Sequence, residues 1–532
     1  MPFAATVPAW KVTADQARAA ARGVPKIAAE LRRHRGADLI AIRKDGRWVV
    51  QSFTPGKQRK QIVEVYVDPY SGRVTEAWTG FQVAWGMARG YPGAFGRSVN
   101  SPWIWVTLCV LFVVPFVDPR RPLRMLHLDL LMLVGFSVSL AFFNDANLGI
   151  SVPLSAISLA YLAARLAAIG LRRNPRPAEP LRLLIPWRAL GALTLFLLGL
   201  RVGLNMTDGN IIDVGYSGVI GADKLVHGRD LYGAFPTDNA QGDTYGPLLY
   251  LAYVPFELVW PWVGRWNDLP AAHAASAAFD LACVLLLFLI GRRIRGTELG
   301  VVLAYAWVAF PFTIYATNSG TNDALPAALV LAAIYAASRP FARGAFGMAA
   351  GLTKFAPLVL LPLLATHDLR RGARAGPLLR FTLGAAIVFA FAAALVLTKT
   401  DPRTFWDRTI GFQASREAPF SVWGYYGGGW EVAQRAVQAA LVVFAVAVAF
   451  VPRRDDLVGL AALAGAILVG AQLAATYWFY LYLVWAVPLA LIAFLGRLPA
   501  AQTAPVTSPA WGPRTAAEAA RAPQPASAAG SG

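Results

Sequence analysis

Residues 457–496 read LVGLAALAGAILVGAQLAATYWFYLYLVWAVPLALIAFLG, without one charged side chain. A helix crossing a bilayer needs about 20 apolar residues. This run therefore predicts two spans, 457–473 and 476–496, joined at Ala474–Ala475. Working outward, apolar runs of the same kind recur back to residue 101. They predict further spans at 102–117, 126–143, 149–170, 187–204, 271–290, 299–316, 323–338, 378–398 and 433–452. The expected fold class is mostly α, a polytopic transmembrane helix bundle of about eleven spans. Composition agrees, since 56% of the 532 residues are hydrophobic and only 15% are charged, against about 25% charged in soluble chains. A soluble enzyme, a secreted disulfide scaffold and a disordered chain are excluded as readings of the whole.

The net charge is +19. The excess sits in short connections and in the first hundred residues, so it reads as a topology signal, and nucleic acid is not an expected partner. Basic residues crowd Arg120-Arg121 with Arg124, Arg172-Arg173 with Arg176, Arg292-Arg293 with Arg295, Arg339 with Arg343, Arg370-Arg371 with Arg374, and Arg453-Arg454. These connections are expected inside, and the C-terminus with them. The connections 144–148, 317–322 and 474–475 lack Lys and Arg and are expected outside. Alternation then forces two apolar segments to begin and end on one side. Segment 246–263, with Pro255, Glu257 and Pro261, should lie at the outer interface. Segment 344–365, broken by Lys354 and Pro357, should be a re-entrant hairpin from the inner side.

Before the spans, residues 1–100 read as a small α+β module carrying 16 Lys and Arg against 7 Asp and Glu. Helical spacing covers 13–31 with Thr13 as N-cap, and strands are expected at 38–42, 48–53, 62–67 and 73–78. Lys44-Asp45-Gly46 and Pro69-Tyr70-Ser71-Gly72 supply the turns. Met1 to Gln16 lacks the apolar core of a cleavable signal. Counting spans nevertheless places the module outside; the alternative is that 102–117 does not span. "ADLIAIRKDGRWVVQSF" and "VEVYVDPYSGRVTEAWTG" resemble a PepSY-type domain. Residues 101–185 are accessory spans, 186–496 the core, and 497–532, rich in Ala, Pro, Ser, Thr and Gly, an expected disordered tail.

The connection 205–245 carries the chemistry. Asp208, Asp213, Asp223, Asp230, Asp238 and Asp243 face only Lys224 and Arg229, with His227 between them. Acids gathered at the outer end of a bundle suit proton abstraction, cation binding or sugar recognition. Lys354 is a second signal, because a Lys at membrane depth is costly unless paired or functional. Aromatics cluster near the same face: Tyr245, Trp260, Trp262, Trp406, Phe412, Trp423, Tyr425, Tyr426, Trp430, Tyr477, Trp478 and Tyr480. Interfacial belts account for many of these. The run 423–430, WGYYGGGW, is denser than a belt needs and suggests a lid.

The stretch 211–261, from Ile211-Ile212-Asp213 to Pro261, resembles the first large outer loop of GT-C membrane glycosyltransferases. Within that superfamily it is most similar to glycosyltransferase family 87 (DUF2029). The matching residues are Asp213, Tyr216, Gly228 with Tyr232, and Tyr245-Gly246-Pro247, where Pro-Pro is commoner than Gly-Pro. "AAGLTKFAPLVLLPLL" (349–364) and "FWDRTIGFQASREAPFSVWGYYGG" (405–428) resemble its later segments, so the likeness runs from about 187 to 496.

The resemblance implies an inverting transferase. It would move a mannose- or arabinose-like sugar from a polyprenyl-phosphate donor to a lipid or glycan acceptor at the extracytoplasmic face. Asp213 is the expected base, with a helix-capping acid or an ion ligand as its alternatives, and Asp243 is the second candidate. Lys224, His227, Arg229, Arg408 and Arg416 are candidate phosphate contacts. Lys354 is either a phosphate contact or half of a structural pair. Tyr216, Tyr232, Tyr245, Trp423, Tyr425 and Tyr426 complete the substrate candidates. No cofactor is expected; a divalent ion shared by Asp213 and Asp223 is an alternative, but no tight Asp-x-Asp pair supports it. Competing readings are a flippase for lipid-linked saccharides and a scaffold or sensor that uses the N-terminal module.

Overall fold

The computed structural model describes residues 9–499 except 45, 57–58, 91–94, 173–179, 368–374, 417 and 452–453. Asp45, Arg173, Arg176, Arg370, Arg371, Arg374, Arg453 and the tail from residue 500 therefore lie outside the described residues.

The N-terminal module is built from helices α1 (Ala14–Arg22) and α2 (Pro25–Arg33) against a meander of order β1-β2-β3-β4. Its strands are β1 (Leu39–Lys44), β2 (Arg47–Phe53), β3 (Gln61–Val67) and β4 (Val74–Thr79), all antiparallel. Thr13 caps α1 through a capping box with Gln16. The single helix expected over 13–31 is broken at Gly23-Val24, because Pro25 has no N–H to continue it and suits a first turn instead. Alternation places Val50, Ile62, Val63, Val65 and Val67 in a core with Ala17, Ala21 and Ile27. At the 68–72 turn the Asp68 carboxylate accepts from the N–H groups of Tyr70 and Ser71.

A short helix α3 (Phe81–Ala84) leads to α4 (Pro102–Val113), then α5 (Met125–Asn144), α6 (Leu148–Leu171) and α7 (Trp187–Thr207). Next come α8 (Asp213–Val226), α9 (Pro247–Glu257), α10 (Pro270–Arg295), α11 (Thr297–Ala309), α12 (Pro311–Asn318) and α13 (Ala324–Tyr335). The hairpin pair α14 (Pro340–Gly351) and α15 (Leu361–Ala365) precedes α16 (Gly376–Leu397). Three short helices, α17 (Pro402–Trp406), α18 (Phe412–Ser415) and α19 (Val422–Tyr426), lead to α20 (Glu431–Phe450), α21 (Leu457–Ala474) and α22 (Leu483–Gly496). The molecule is a mostly helical multi-pass membrane protein with a small N-terminal antiparallel sheet.

Among the described residues, seven helices are long and apolar enough to cross a membrane: α5, α6, α7, α10, α16, α20 and α21. The expected span 299–316 is two helices, α11 and α12, bent by 59° where Pro311 removes a donor. The expected spans 102–117, 323–338 and 476–496 are shorter apolar helices. Residues 475–479 are not helical, so the second half of the quoted run starts late. Apolar side chains on α7, α16 and α20 point outward, including Leu195, Phe389 and Val443, as lipid-facing helices require.

Two ends of the bundle are distinct. Arg454 N–H reaches the Gly170 carbonyl, Arg295 the Leu498 carbonyl, Arg124 the Pro180 carbonyl and Arg293 the Tyr335 carbonyl. The described arginine-rich connections thus gather at one end, as one-sided placement requires. Leu181 N–H donates to the Pro499 carbonyl at 2.8 Å, so the first residues assigned to the tail are pinned. At the other end Gln82 donates to the Asn144 carbonyl, Ser98 N–H to Asp208, and Asn318 to the Gly96 carbonyl. Phe81 and Trp85 pack on Phe420. The N-terminal module therefore docks on the end that holds the 205–245 connection.

Asp129, Arg201 and Asp280, buried charges within α5, α7 and α10, are paired. Arg201 on α7 makes two hydrogen bonds to Asp280 on α10 at 3.2 and 2.6 Å, and Trp307 donates to the same carboxylate at 2.9 Å. Asp129 on α5 accepts from Tyr161 and Arg165 on α6 and from Arg497. Satisfying every lone pair is what makes such groups tolerable at low dielectric.

Candidate functional site

The acidic connection is not a loop. Asp213 opens α8, whose first turn presses against the wholly buried turn Thr317–Asp323. A Cβ on Gly215 would meet the Gly320 carbonyl oxygen at 2.1 Å, so backbone meets backbone there and only glycine fits. Asn322 donates to the Val214 carbonyl at 2.8 Å and completes the seam. Asp213 is thereby held at a helix start rather than on a mobile strap.

The hairpin of α14 and α15 is the second contributor. Its chain breaks between α14 and the 3₁₀ turn Ala356–Leu360, and Lys354 stands at the break. Gly246 N–H donates to the Thr353 carbonyl at 3.0 Å and Leu248 N–H to the Leu352 carbonyl at 3.1 Å. The hairpin tip therefore meets the start of α9. A Cβ on Gly246 would fall 2.0 Å from the Leu352 oxygen, which explains Gly rather than Pro or a larger residue before Pro247. Gly246→Ala should force the two backbones apart and cost about 1–3 kcal/mol, read as a lower unfolding temperature in detergent, whereas Gly428→Ala, which faces open space without a left-handed backbone, should not.

Lys354 is buried, and its ammonium pairs with the buried Asp323, which also accepts from Trp485 Nε1 at 2.9 Å. The rings of Tyr245, Trp485 and Tyr482 surround it at 5.3, 5.3 and 5.8 Å from its nitrogen. Cation–π attraction at desolvated sites adds to the ion pair. Arg416 lies over the face of Tyr477 at 3.5 Å. Tyr245, Lys354, Phe355, Arg416, Gln472, Tyr477, Tyr482 and Trp485 line one cavity of about 300 Å³, bordered by Gln438 of α20 and Leu468 of α21.

Asp213 stands in the field of this cluster. Crowding by protein pushes its carboxyl above the usual carboxylate range; Arg416 and then Lys354 pull it back, and Asp323 adds to the rise. Its side chain remains open to water, so it is crowded without being sealed. A reachable carboxylate with a raised affinity for protons is what general-base work at neutral pH needs.

Asp213, Tyr245, Lys354 and Arg416, spread over positions 213–416, thus come together. The other candidates lie elsewhere. Lys224, in the last turn of α8, and His227 and Arg229, just past it, follow Asp213 in sequence but sit at the far end of that helix, about 16 Å along its axis. There Asp223 pairs with Arg229 and with His227 at 3.0 Å, while Lys224 donates to the Asp230 carbonyl at 3.0 Å. The same helix separates Asp213 from Asp223 by about 15 Å, too far to share an ion. Asp243 is fully buried and accepts from Arg408 Nε at 2.8 Å and Gly233 N–H at 2.6 Å. Both residues thereby tie the 233–243 segment to the 402–411 helices.

Tyr216 is buried against Trp262 and Trp266 and donates to Asp238 at 3.2 Å. Tyr232 supports Tyr245 from behind by donating to its carbonyl at 2.9 Å. Trp423 donates to the Leu473 carbonyl at 2.7 Å, while Tyr425 and Tyr426 pack on each other at the surface. That segment anchors α19 to the end of α21, and the cavity is flanked instead by Gln413, Ala414 and Arg416. Sequence reasoning missed Asp323, Tyr482 and Trp485. The first could have been found by asking which acid neutralises Lys354. Among the described residues no group of three or more His, Cys, Asp or Glu could hold a metal ion. No protein-family model matches this chain, and no curated protein matches it.

Proposed function

We propose that the chain is an integral-membrane glycosyltransferase that moves a sugar from a polyprenyl-phosphate donor to a hydroxyl of a lipid or glycan acceptor at the extracytoplasmic face. The observation that carries the reading is a water-reachable carboxylate within electrostatic reach of Arg416 and Lys354, two cations that line an aromatic-walled cavity. Asp213 takes the proton of the acceptor hydroxyl as its oxygen bonds the anomeric carbon. The bond from that carbon to the phosphate oxygen breaks on the opposite face, with inversion, and polyprenyl phosphate leaves. Arg416 supplies charge to the departing phosphate, since a guanidinium presents several donors in a plane. Lys354 is already committed to Asp323, so its role is to hold the wall and bias the Asp213 carboxyl toward ionisation. Tyr245, Tyr477 and Tyr482 offer ring faces and hydroxyls to a sugar. The cavity volume is at the lower end for ligand sites and suits one sugar ring and its phosphate.

The test uses purified full-length protein in nanodiscs with a radiolabelled polyprenyl-phosphate sugar, mannosyl or arabinosyl, and a membrane-extract acceptor pool. Labelled product that depends on the protein supports the reading. Labelled donor that crosses the bilayer unchanged supports a flippase instead. In intact cells, a cysteine introduced at position 213 should react with a membrane-impermeant maleimide and one at position 172 should not; the reverse pattern would put the site on the other face.

A further inference from the structure

The cavity beside Asp213 has one wall that is not a regular helix. Residues 475–479 leave α21 without regular structure and close into the 3₁₀ turn Tyr480–Tyr482. This strap brings Thr476, Tyr477 and Tyr482 to the cavity. Its first part is tied on one side: the Ser421 hydroxyl donates to the Thr476 carbonyl at 2.6 Å, and the Gln434 amide donates to the Thr476 hydroxyl at 2.8 Å. Phe479 packs on the rings of Phe95, Phe143 and Phe420, contacts that bury area without fixing a direction. Tyr480 reaches the opposite way. Its hydroxyl lies 2.6 Å from Ser139 Oγ of α5 and 2.8 Å from Ser151 Oγ of α6, and Ser139 Oγ lies 2.6 Å from the Ser151 carbonyl oxygen. Counting protons fixes the order. A carbonyl only accepts, so Ser139 uses its one proton there. Tyr480 then donates to Ser139 Oγ, and Ser151 donates to Tyr480 Oη. In this order each of the three short contacts carries a proton. All three side chains are buried, and the Tyr480 ring stacks on Phe312 at 5.9 Å. A phenylalanine and two alanines would fill this space without the cost of burying hydroxyls. What the satisfied hydroxyls add is one defined arrangement.

We propose that Ser139 and Ser151 are positioning residues for the Asp213 cavity: through Tyr480 they set the strap, and the strap sets Tyr477 and Tyr482 against Arg416 and Lys354. The path is short. Tyr477 lies three residues before Tyr480 and holds Arg416 over its ring at 3.5 Å. Tyr482 lies two residues after Tyr480, and its ring is 5.8 Å from the Lys354 nitrogen. The α5–α6 pair lines no part of the cavity among the described residues, yet it belongs to the site by this route. The placement of the wall stands without the transferase reading, and its effect on turnover rests on that reading. A strap free to shift would loosen its hold on Arg416, the cation that faces the departing phosphate. The rate constant should then fall with little change in donor affinity.

Full-length protein in nanodiscs is compared as wild type, Tyr480→Phe, Ser139→Ala combined with Ser151→Ala, and Ser155→Ala. Tyr480→Phe keeps the ring on Phe312, and the double variant keeps Tyr480 itself. Ser155→Ala is the control, because Ser155 is also buried but its hydroxyl donates to the Val152 carbonyl of its own helix at 2.9 Å. Hydrogen exchange read by mass spectrometry should become about tenfold faster across 475–482 in the first two variants, as the loss of a hydrogen bond implies, with α21 unchanged. Ser155→Ala should exchange like wild type there. Unchanged exchange of the strap in both test variants, or an equal rise in the control, would overturn the proposal whether or not the protein transfers sugar. Turnover per folded molecule should fall about tenfold in the same two variants, with the donor KM within about twofold of wild type. Turnover that falls only as the folded fraction falls would overturn the positioning role. Wild-type protein that transfers no sugar would sink the transferase reading, and the exchange result would still decide whether the hydroxyls set the wall.

Discussion

Asp213→Asn should reduce transfer by about 10²–10⁴-fold, the usual worth of a positioned general base, while donor affinity stays within a few-fold. The same substitution should not destabilise the protein at neutral pH. The sign follows from the environment of the carboxyl, which is crowded by protein and pushed above its ordinary range. A carboxyl whose pKa is higher folded than unfolded favours the folded state when protonated. That contribution is full below the unfolded value and is lost as pH rises through the folded one. Ionising Asp213 is therefore less favourable in the native protein than in the unfolded chain, and an uncharged amide avoids that cost. Were Asp213 only a helix-start acid, its removal would instead cost about 0.3–1 kcal/mol through the lost dipole interaction. Thermal unfolding and turnover measured on one preparation separate the two: falling turnover with unchanged or higher stability supports the base, and falling stability with unchanged turnover supports the cap. The wild-type rate should fall on the acid side as Asp213 protonates, with a midpoint above that of an ordinary aspartate, and the Asn variant should lose this limb.

What the sequence made legible was whatever is local or periodic. The long apolar helices fall within a few residues of their expected bounds, because length and hydropathy suffice for a crossing helix. The strands of the N-terminal module follow from alternation, and the Thr13 cap from a capping box written into 13–16. The break at Lys354 was also visible, since a charge and a proline interrupt an apolar run. The failures share another cause. Lys224, His227 and Arg229 seemed near Asp213 because sequence distance was read as spatial distance; the intervening Gly-rich segment is a rigid helix, and rigidity turns eleven residues into separation. Asp323 stayed hidden because it sits at the edge of an expected span, and its link to Lys354 is set by how α13 and α14 pack. Arg201 and Asp280 show the same limit from the other side. An ionisable residue inside a span suggests function by default, yet these two satisfy each other within a network that includes Trp307 and Thr313. That saturation commits Arg201 and Asp280 to each other rather than to a relay of free charges of the sort a transporter uses.

Breaking the Lys354–Asp323 pair should be the most damaging change to stability, and the way it fails is informative. Both side chains are buried, so Lys354→Met strands a carboxylate and Asp323→Asn strands an ammonium, each costing about 3–5 kcal/mol. The double variant should recover most of this loss, because replacing a buried pair is far cheaper than orphaning one partner and an amide can still accept from Trp485 Nε1. Tryptophan-monitored unfolding in detergent reads all three, and single variants that unfold at the wild-type temperature would remove the pair from the account. The pH dependence of turnover then asks what the pair does for the site. Lys354 favours the ionised form of Asp213 and Asp323 opposes it. Removing the lysine should therefore move the acid limb of the rate profile to higher pH, and removing the aspartate should move it to lower pH. In the double variant the two displacements oppose each other, so a well-folded double variant should titrate closer to wild type than either single one. A structural pair with no tie to catalysis would leave the limb in place in every variant; the opposed shifts would mark Lys354 and Asp323 as positioning residues that act through Asp213.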